Sequence, residues 1–161
     1  DIIRLSRLDE DQTPVSPAPV DLHAIAQECM ETLTPSAEKR GIALQLEGGE
    51  TIVRGEKNSL WELVYNLMDN AIRYNRVNGT VTVTLKDHSL AVSDTGIGIP
   101  PEHQERIFER FYRVDKSHSR ATGGTGLGLS IVKHVAERHN AKISLDSTVG
   151  VGTTITVTFP E

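Results

Sequence analysis

The sequence predicts an α/β protein of the α+β kind: a two-layer sandwich in which about three helices cover one face of a mixed, mostly antiparallel sheet. Three observations carry this. Residues 57–74 keep a helical apolar period, several short stretches alternate apolar and polar residues at the period of a strand, and successive strands follow closely enough to be hairpin-linked. Helices beside such strands bury their apolar faces in two layers.

In chain order, residues 1–10 read as the end of a helix, with Ile2, Ile3, Leu5 and Leu8 on its apolar side. Residues 11–20, DQTPVSPAPV, are rich in proline and without period, and read as a linker. Asp21 is placed to cap a helix that runs to about Arg40 and stops at Gly41. Residues 42–46 and 51–54 read as a short hairpin across Gly48 and Gly49. The clearest helix runs from about Lys57 to Tyr74: Leu63, Val64, Leu67, Met68, Ala71 and Ile72 follow Leu60 at +3, +4, +7, +8, +11 and +12. Strands are expected at Thr80–Leu85 and Ser89–Asp94, a helical stretch near Glu102–Phe111, a helix from about Leu127 to Arg138, and closing strands at Lys142–Asp146 and Thr153–Phe159.

A chain of 161 residues is enough for one domain with a core, and the scarcity of aromatics leaves that core to Leu, Ile, Val and Ala. The net charge of −5 argues against nucleic-acid binding, which would call for a basic face. Cys29 is the single cysteine, so no internal disulfide can form, which fits a reducing compartment. No apolar run approaches the roughly 20 residues that span a bilayer. The chain opens on a helical pattern already under way and reads as a piece of a longer protein.

Four blocks carry chemistry. On the long helix, Glu62, Asn66, Asn70 and Arg73 form a polar stripe beside the apolar face, with Tyr74 four residues beyond Asn70. Asparagine is a poor helix former, an amide oxygen suits magnesium, and Arg73 can pair with phosphate; the same stripe also fits a solvated helix face. In Asp94-Thr95-Gly96-Ile97-Gly98-Ile99, Asp94 shares the parity of Leu90 and Val92 and so points to the buried side, where a carboxylate needs a donor such as an adenine amino group. Gly96 and Gly98 permit a tight turn and close approach to a ligand, although an ordinary strand-to-loop turn would use them too. Phe108 and Phe111 can anchor the segment between the glycine loops, with Arg110 and Arg113 facing either solvent or phosphate. Finally, Gly123-Gly124-Thr125-Gly126-Leu127-Gly128-Leu129 leads into a helix and can present free N–H groups to phosphate. It matches neither a Walker loop nor a dinucleotide fingerprint.

Taken in order, Asn66-x-x-x-Asn70, Asp94-x-Gly96-x-Gly98, Phe108-Glu-Arg-Phe111 and Gly124-x-Gly126-x-Gly128 resemble the N, G1, F and G2 boxes of the catalytic ATP-binding domain of sensor histidine kinases, a branch of the Bergerat-fold ATPase and kinase superfamily. Gly152-Thr153-Thr154-Ile155 resembles the family's last glycine box. The resemblance covers roughly residues 20–160, and ERFYRVDKS and GGTGLGLSIVKH look like the phosphate-sensing PhoR-like branch. It implies a division into the end of the dimerisation helix (1–10), a linker (11–19) and the catalytic domain (20–161). By the same resemblance Asn70 would bind magnesium and Asn66 support the phosphates, with Asn66 and Arg113 as the catalytic pair. Arg73, Arg113 and Arg110 would contact phosphate, Tyr74 would lie over the adenine and Asp94 would accept its amino hydrogen. Gly96, Gly98 and Ile99 would line the base pocket, Thr153 would reach the base through water, and the backbone from Gly124 through Thr125, Gly126, Leu127 and Gly128 to Leu129 would cover the phosphates. Residues 112–124, with little apolar surface, are expected to form a lid ordered by the nucleotide.

The expected chemistry is transfer of the γ-phosphoryl group of ATP, with magnesium, to a histidine on a separate dimerisation domain, for relay to an aspartate of a response-regulator receiver domain. The six histidines (His23, His88, His103, His118, His134 and His139) lack the acidic residue that follows the family's acceptor, so the acceptor is expected outside this sequence. Related ATP hydrolases carry a glutamate where this chain has Asn66, and an amide cannot serve as their general base. A nucleotide-binding module without catalysis is the remaining alternative. The resemblance also implies a parent homodimer anchored in the bacterial cell membrane, with this portion in the cytoplasm and monomeric alone.

Overall fold

The computed structural model describes residues 17–104, 106–109 and 128–160. The elements are β1 (Ala18–Asp21), α1 (Leu22–Lys39), β2 (Ala43–Glu47), β3 (Ile52–Gly55), α2 (Lys57–Arg73), β4 (Thr80–Lys86), β5 (Ser89–Asp94), a 3₁₀ turn (Pro101–His103), α3 (Gly128–Arg138), β6 (Lys142–Thr148) and β7 (Gly152–Thr158). The main sheet has the order β2-β4-β5-β7-β6, with β2 and β4 parallel and every other neighbour antiparallel. The three helices lie side by side on one of its faces, α2 in the middle. This is the two-layer architecture that the patterning implies.

The core is where the periodicities meet. Ile25, Cys29 and Leu33 of α1, Leu60, Leu63, Leu67 and Met68 of α2, and Ile131, Val132 and Val135 of α3 are all buried against Val81, Val83, Leu90, Val92, Ile155 and Val157 of the sheet. Burial, helped by the neighbouring Glu28 carboxylate, pushes the Cys29 thiol up to about 12, so it stays a neutral packing residue. Alternation turns Thr82, Ser93 and Thr154 to the opposite face, where Ser93 and Thr154 share a hydroxyl hydrogen bond of 2.8 Å.

Helix ends follow local chemistry. Asp21 Oδ1 accepts the backbone N–H of His23 and caps α1. At the other end Gly41, at φ 69°, donates to Glu38 while Ile42 donates back to Ala37, the paired bonds of a Schellman stop. Asn140, at φ 56°, ends α3 in the same way, with Asn140 bonded to Glu137 and Ala141 to Ala136.

Two local expectations are corrected. The strands at 43–47 and 52–55 do not form a hairpin: β2 joins the main sheet beside β4, whereas β3 pairs antiparallel with β1 in a separate two-stranded sheet. Gly48, at φ 100°, turns the chain away from the sheet against the Leu85 carbonyl, and Asp21 Oδ1 then catches the Thr51 N–H at 3.0 Å. Residues 18–20, which composition assigns to the linker, are therefore strand, because β3 needs a partner for its backbone. Near residues 102–109 the expected helical stretch is of the tighter 3₁₀ kind, with successive i to i+3 bonds, His103 to Pro100, Gln104 to Pro101, Arg106 to His103 and Glu109 to Arg106. Phe108 packs on the core as expected, and Phe111 lies outside the described residues.

Asp21 thus joins the start of α1 to the loop before β3 through one oxygen. Replacing it with alanine is expected to lower stability by about 1–2 kcal/mol, by loss of a cap and of the acceptor for Thr51. Asp21→Asn keeps an acceptor oxygen and should recover most of that. Urea denaturation followed by circular dichroism measures both, and an alanine midpoint equal to the parent's would contradict the assignment.

Candidate functional site

The polar stripe of α2 survives packing. Asn66 is buried, with Nδ2 donating to the Glu62 carbonyl at 2.8 Å, and its Oδ1 faces the first residue of α3: a Cβ on Gly128 would stand 3.3 Å from it. Leu129, next in α3, packs partly buried on the core. Asn70 lies one turn further on, about 6 Å along the axis. It is half-buried, and its amide makes no hydrogen bond among the described residues. Another turn brings Tyr74, the last residue to hold the helix, with its N–H on the Asn70 carbonyl. Arg73 is folded back onto Asp69, Nε to Oδ2 at 2.8 Å.

At the Tyr74 end stands the loop that leaves β5. Asp94 closes that strand opposite Thr153 of β7. Its Oδ1 accepts two backbone donors, Gly96 N–H at 2.8 Å and Thr153 N–H at 3.2 Å. Both fall on one oxygen, which leaves Oδ2 as an acceptor. Burial raises the Asp94 pKa above the ordinary carboxylate range, and the two amide bonds pull the other way without cancelling it.

The glycines of this loop are required by contact. A Cβ on Gly96 would collide with the Tyr74 carbonyl, and one on Gly98, at φ 77°, with the Thr148 carbonyl. The loop is then fastened on both sides. Ile97 N–H donates to the Tyr74 carbonyl at 3.2 Å and Ile99 N–H to Ser147 Oγ at 2.8 Å. Ser147 also shares a 2.7 Å hydrogen bond with the Thr153 hydroxyl, and Gln104 Nε2 donates to the Ile99 carbonyl at 2.9 Å.

The fold therefore brings Asn66, Gly128 and Leu129 to one end of a line along α2, puts Asn70 in its middle, and places Tyr74, Asp94, Gly96, Gly98, Ile99 and Thr153 at the other. Arg110, Arg113, Gly124, Thr125, Gly126 and Leu127, with the lid expected at 112–124, lie outside the described residues. Sequence reasoning missed Ser147 and Gln104, which hold the Asp94 loop from below. A serine before a β-turn and a glutamine in a short turn carry no signal of such a role, because both act on carbonyl and amide groups brought near only by the sheet register.

Residues 55–161 match the family model described as histidine kinase-, DNA gyrase B- and HSP90-like ATPase. The chain is 39% identical over 99% of its length to the sensor histidine kinase RppB of Synechocystis sp. and 40% identical over its whole length to the sensor-like histidine kinase SenX3 of Mycolicibacterium smegmatis. It spans 37% and 43% of the lengths of those two proteins. Among solved structures, the mycobacterial sensor histidine kinase MprB is similar with a TM-score of 0.77 and 28% identity, covering 89% of this chain and 97% of that one.

The buried carboxylate generates a prediction with a definite sign. A folded-state pKa above the unfolded one means that Asp94 adds stability only where it is protonated, and that contribution is lost as pH rises through the raised value. Asp94→Asn keeps an oxygen for Gly96 and Thr153 without the charge. It is expected to melt at or above the parent's temperature at neutral pH. The gap should close as pH falls below about 3.9, the ordinary aspartate value. Calorimetric melting across that range tests it; an asparagine variant clearly less stable at neutral pH would show that the charge is no burden.

Proposed function

Because the chain belongs to the histidine kinase-, DNA gyrase B- and HSP90-like ATPase family, we propose that it is the ATP-binding catalytic domain of a two-component sensor histidine kinase. The observation that carries this reading is the line on α2. Asn66 under Gly128 of α3, Asn70 half-buried with an amide that bonds no described residue, and Tyr74 beside the Asp94 loop present, in order, groups suited to phosphate, cation and purine.

Each end has a definite task. Asp94 Oδ2 would accept a hydrogen from the adenine 6-amino group while Oδ1 stays on its two backbone donors. Guanine would bring a carbonyl oxygen there, with no proton between two acceptors. At the phosphate end Gly128 of α3 has no side chain, so its backbone lies close to Asn66, and amides around it could face an anion. Asn70 offers a hard oxygen donor of the kind magnesium takes, and that cation, held with the nucleotide, would offset charge on the phosphate oxygens. Arg73, Arg110 and Arg113 would add positive charge around the phosphates. Residues 124–129 would supply the remaining amides.

The reaction would form a bond from the acceptor imidazole nitrogen to the γ-phosphorus and break the bond to the β-bridging oxygen, with ADP leaving. Such transfer depends on positioning and charge neutralisation more than on a protein nucleophile. Asn66 carries an amide where a hydrolase would need a carboxylate to activate water, which favours transfer. Residues 1–10 would belong to the dimerisation helix, 11–19 to the linker and 20–161 to this domain. The acceptor would lie on the dimerisation domain, with a receiver domain as the next partner. No helix among the described residues is long and apolar enough to cross a membrane. A cytoplasmic position beneath a membrane-anchored dimeric parent, and a monomeric state for this portion alone, complete the proposal.

Asn70→Ala is expected to weaken magnesium-dependent ATP binding at least about tenfold, the lower end of what losing even an outer metal partner costs. Titration with and without magnesium measures it, and unchanged affinity would remove Asn70 from the site. In a labelling assay with γ-labelled ATP, phosphate should appear on an added dimerisation domain of the parent and not on this chain alone. Stable labelling of one of its own histidines would overturn the assignment of the acceptor.

A further inference from the structure

The turn that leaves α2 carries an arginine that nothing above employs. Arg76 Nε donates to the Thr95 carbonyl at 2.7 Å, and Nη2 donates to the Gly96 carbonyl at 3.2 Å and the Gly150 carbonyl at 2.7 Å. The first two carbonyls belong to the loop after Asp94 and the third to the β6–β7 turn. Those loops also meet directly, where Gly150 N–H donates to the Ile97 carbonyl at 2.9 Å. The base of the arginine is fixed as well. Its own N–H is held by Asn75 Oδ1 at 2.9 Å, which also takes the Thr95 hydroxyl at 3.1 Å, while Asn75 Nδ2 donates to the Thr80 carbonyl at 3.0 Å.

Three carbonyl oxygens converging on one point repel one another unless a cation stands between them. Without one they would turn toward water, and the Gly96 peptide would turn with them. Gly96 supplies one of the two donors on Asp94 Oδ1, so rotation there would re-aim the carboxylate. A planar guanidinium presents its donors along fixed directions and suits several acceptors at once, whereas an ammonium on a flexible stem does not fix their angles. Arg76 is an exposed residue, so its bonds compete with water and add little to global stability. Their effect is on geometry.

We propose that Arg76 is a positioning residue for base selectivity: by clamping the Thr95, Gly96 and Gly150 carbonyls it sets the edge of Asp94 and Gly96 against which the purine is read. The inference deepens the ATP-binding reading and rests on it. Arg76 acts through Asp94 and need not touch the nucleotide.

The test uses the whole chain, with Arg76→Lys and Arg76→Gln, titrated with magnesium and non-hydrolysable analogues of ATP and of GTP, alongside thermal melting. The parent should prefer the ATP analogue. The glutamine variant should lose about tenfold in affinity for it, or about 1.4 kcal/mol, with GTP-analogue binding nearly unchanged, so that the preference collapses. The lysine variant, which keeps the charge, should fall between. A general effect of charge on the phosphates would lower both affinities alike, and a merely structural role would lower both in proportion to the folded fraction; either result overturns the proposal, as do variants with the parent's affinity and preference. If the glutamine variant does not fold, the lysine variant decides by the same ratio. A parent chain that binds no ATP analogue would overturn the functional reading and this proposal together, whereas a parent that binds it beside indistinguishable variants sinks this proposal alone.

Discussion

The constraint on which the structure depends is the double commitment of α2. This helix lies between α1 and α3 on the sheet, and its buried residues form the centre of the core. Asn66, Asn70 and Tyr74 rise along the same cylinder at intervals of four residues, so a site on them is as rigid as the core beneath. A four-residue interval gains only about 40° over one turn, so the line of polar groups drifts slowly around the helix. Truncating a residue such as Leu63 or Leu67 would cost about 2–5 kcal/mol and disturb every site group at once. Placing the candidate site's polar groups on a helix this deeply buried exchanges adaptability for precision, which would suit chemistry in which orientation does most of the work.

The second half of the site is held by backbone. In the loop after β5 Ile97 stands exposed and Ile99 is half-buried. The loop's conformation comes from hydrogen bonds to its neighbours: Tyr74 and Arg76 at and after the end of α2, Thr80 of β4, Ser147 and Gly150 of the β6–β7 hairpin, and Gln104 of the short turn at 101–104. Gly96 and Gly98 are needed because those neighbours approach where a side chain would stand. A loop fixed by polar contacts at both edges can line a pocket without filling it.

Sequence pattern was most informative where burial alone decides structure. The apolar period of α2, the alternation in β4, β5 and β7, and the stop at Gly41 depend on residues near in sequence. Partner choice among strands does not. Ala43–Glu47 and Ile52–Gly55 look like a hairpin because glycines separate them, and only the positive φ of Gly48 and the bond from Thr51 to Asp21 send them to different sheets. Pro19 hides β1 for a related reason: proline suits an edge strand, and β1 is one. Among site residues, Asn66, Asn70 and Asp94 stood out as polar residues at apolar or helical positions. Arg76, Ser147 and Gln104 did not, because exposed polar residues in turns are ordinary and their roles arise from carbonyls distant in sequence.

Asp94 shows how the two halves interact. Burial opposes its ionisation, while the ionised form would be the stronger acceptor for the amino group proposed above. The fold answers with two amides on one oxygen, one from its own loop and one from β7. Those donors lower the cost of the charge and fix the direction of the second oxygen. The Thr153 donor is fixed by sheet register, so it does not move unless β5 and β7 part. The Gly96 donor sits in a loop and moves whenever the loop does. Orientation of the carboxylate therefore has one rigid determinant and one adjustable one. The adjustable one leads through the Gly96 peptide to the contacts with Tyr74, at the end of α2, and with the turn that follows it. The aim of the Asp94 carboxylate is thus coupled to the helix that carries Asn66 and Asn70, which ties the two ends of the candidate site together.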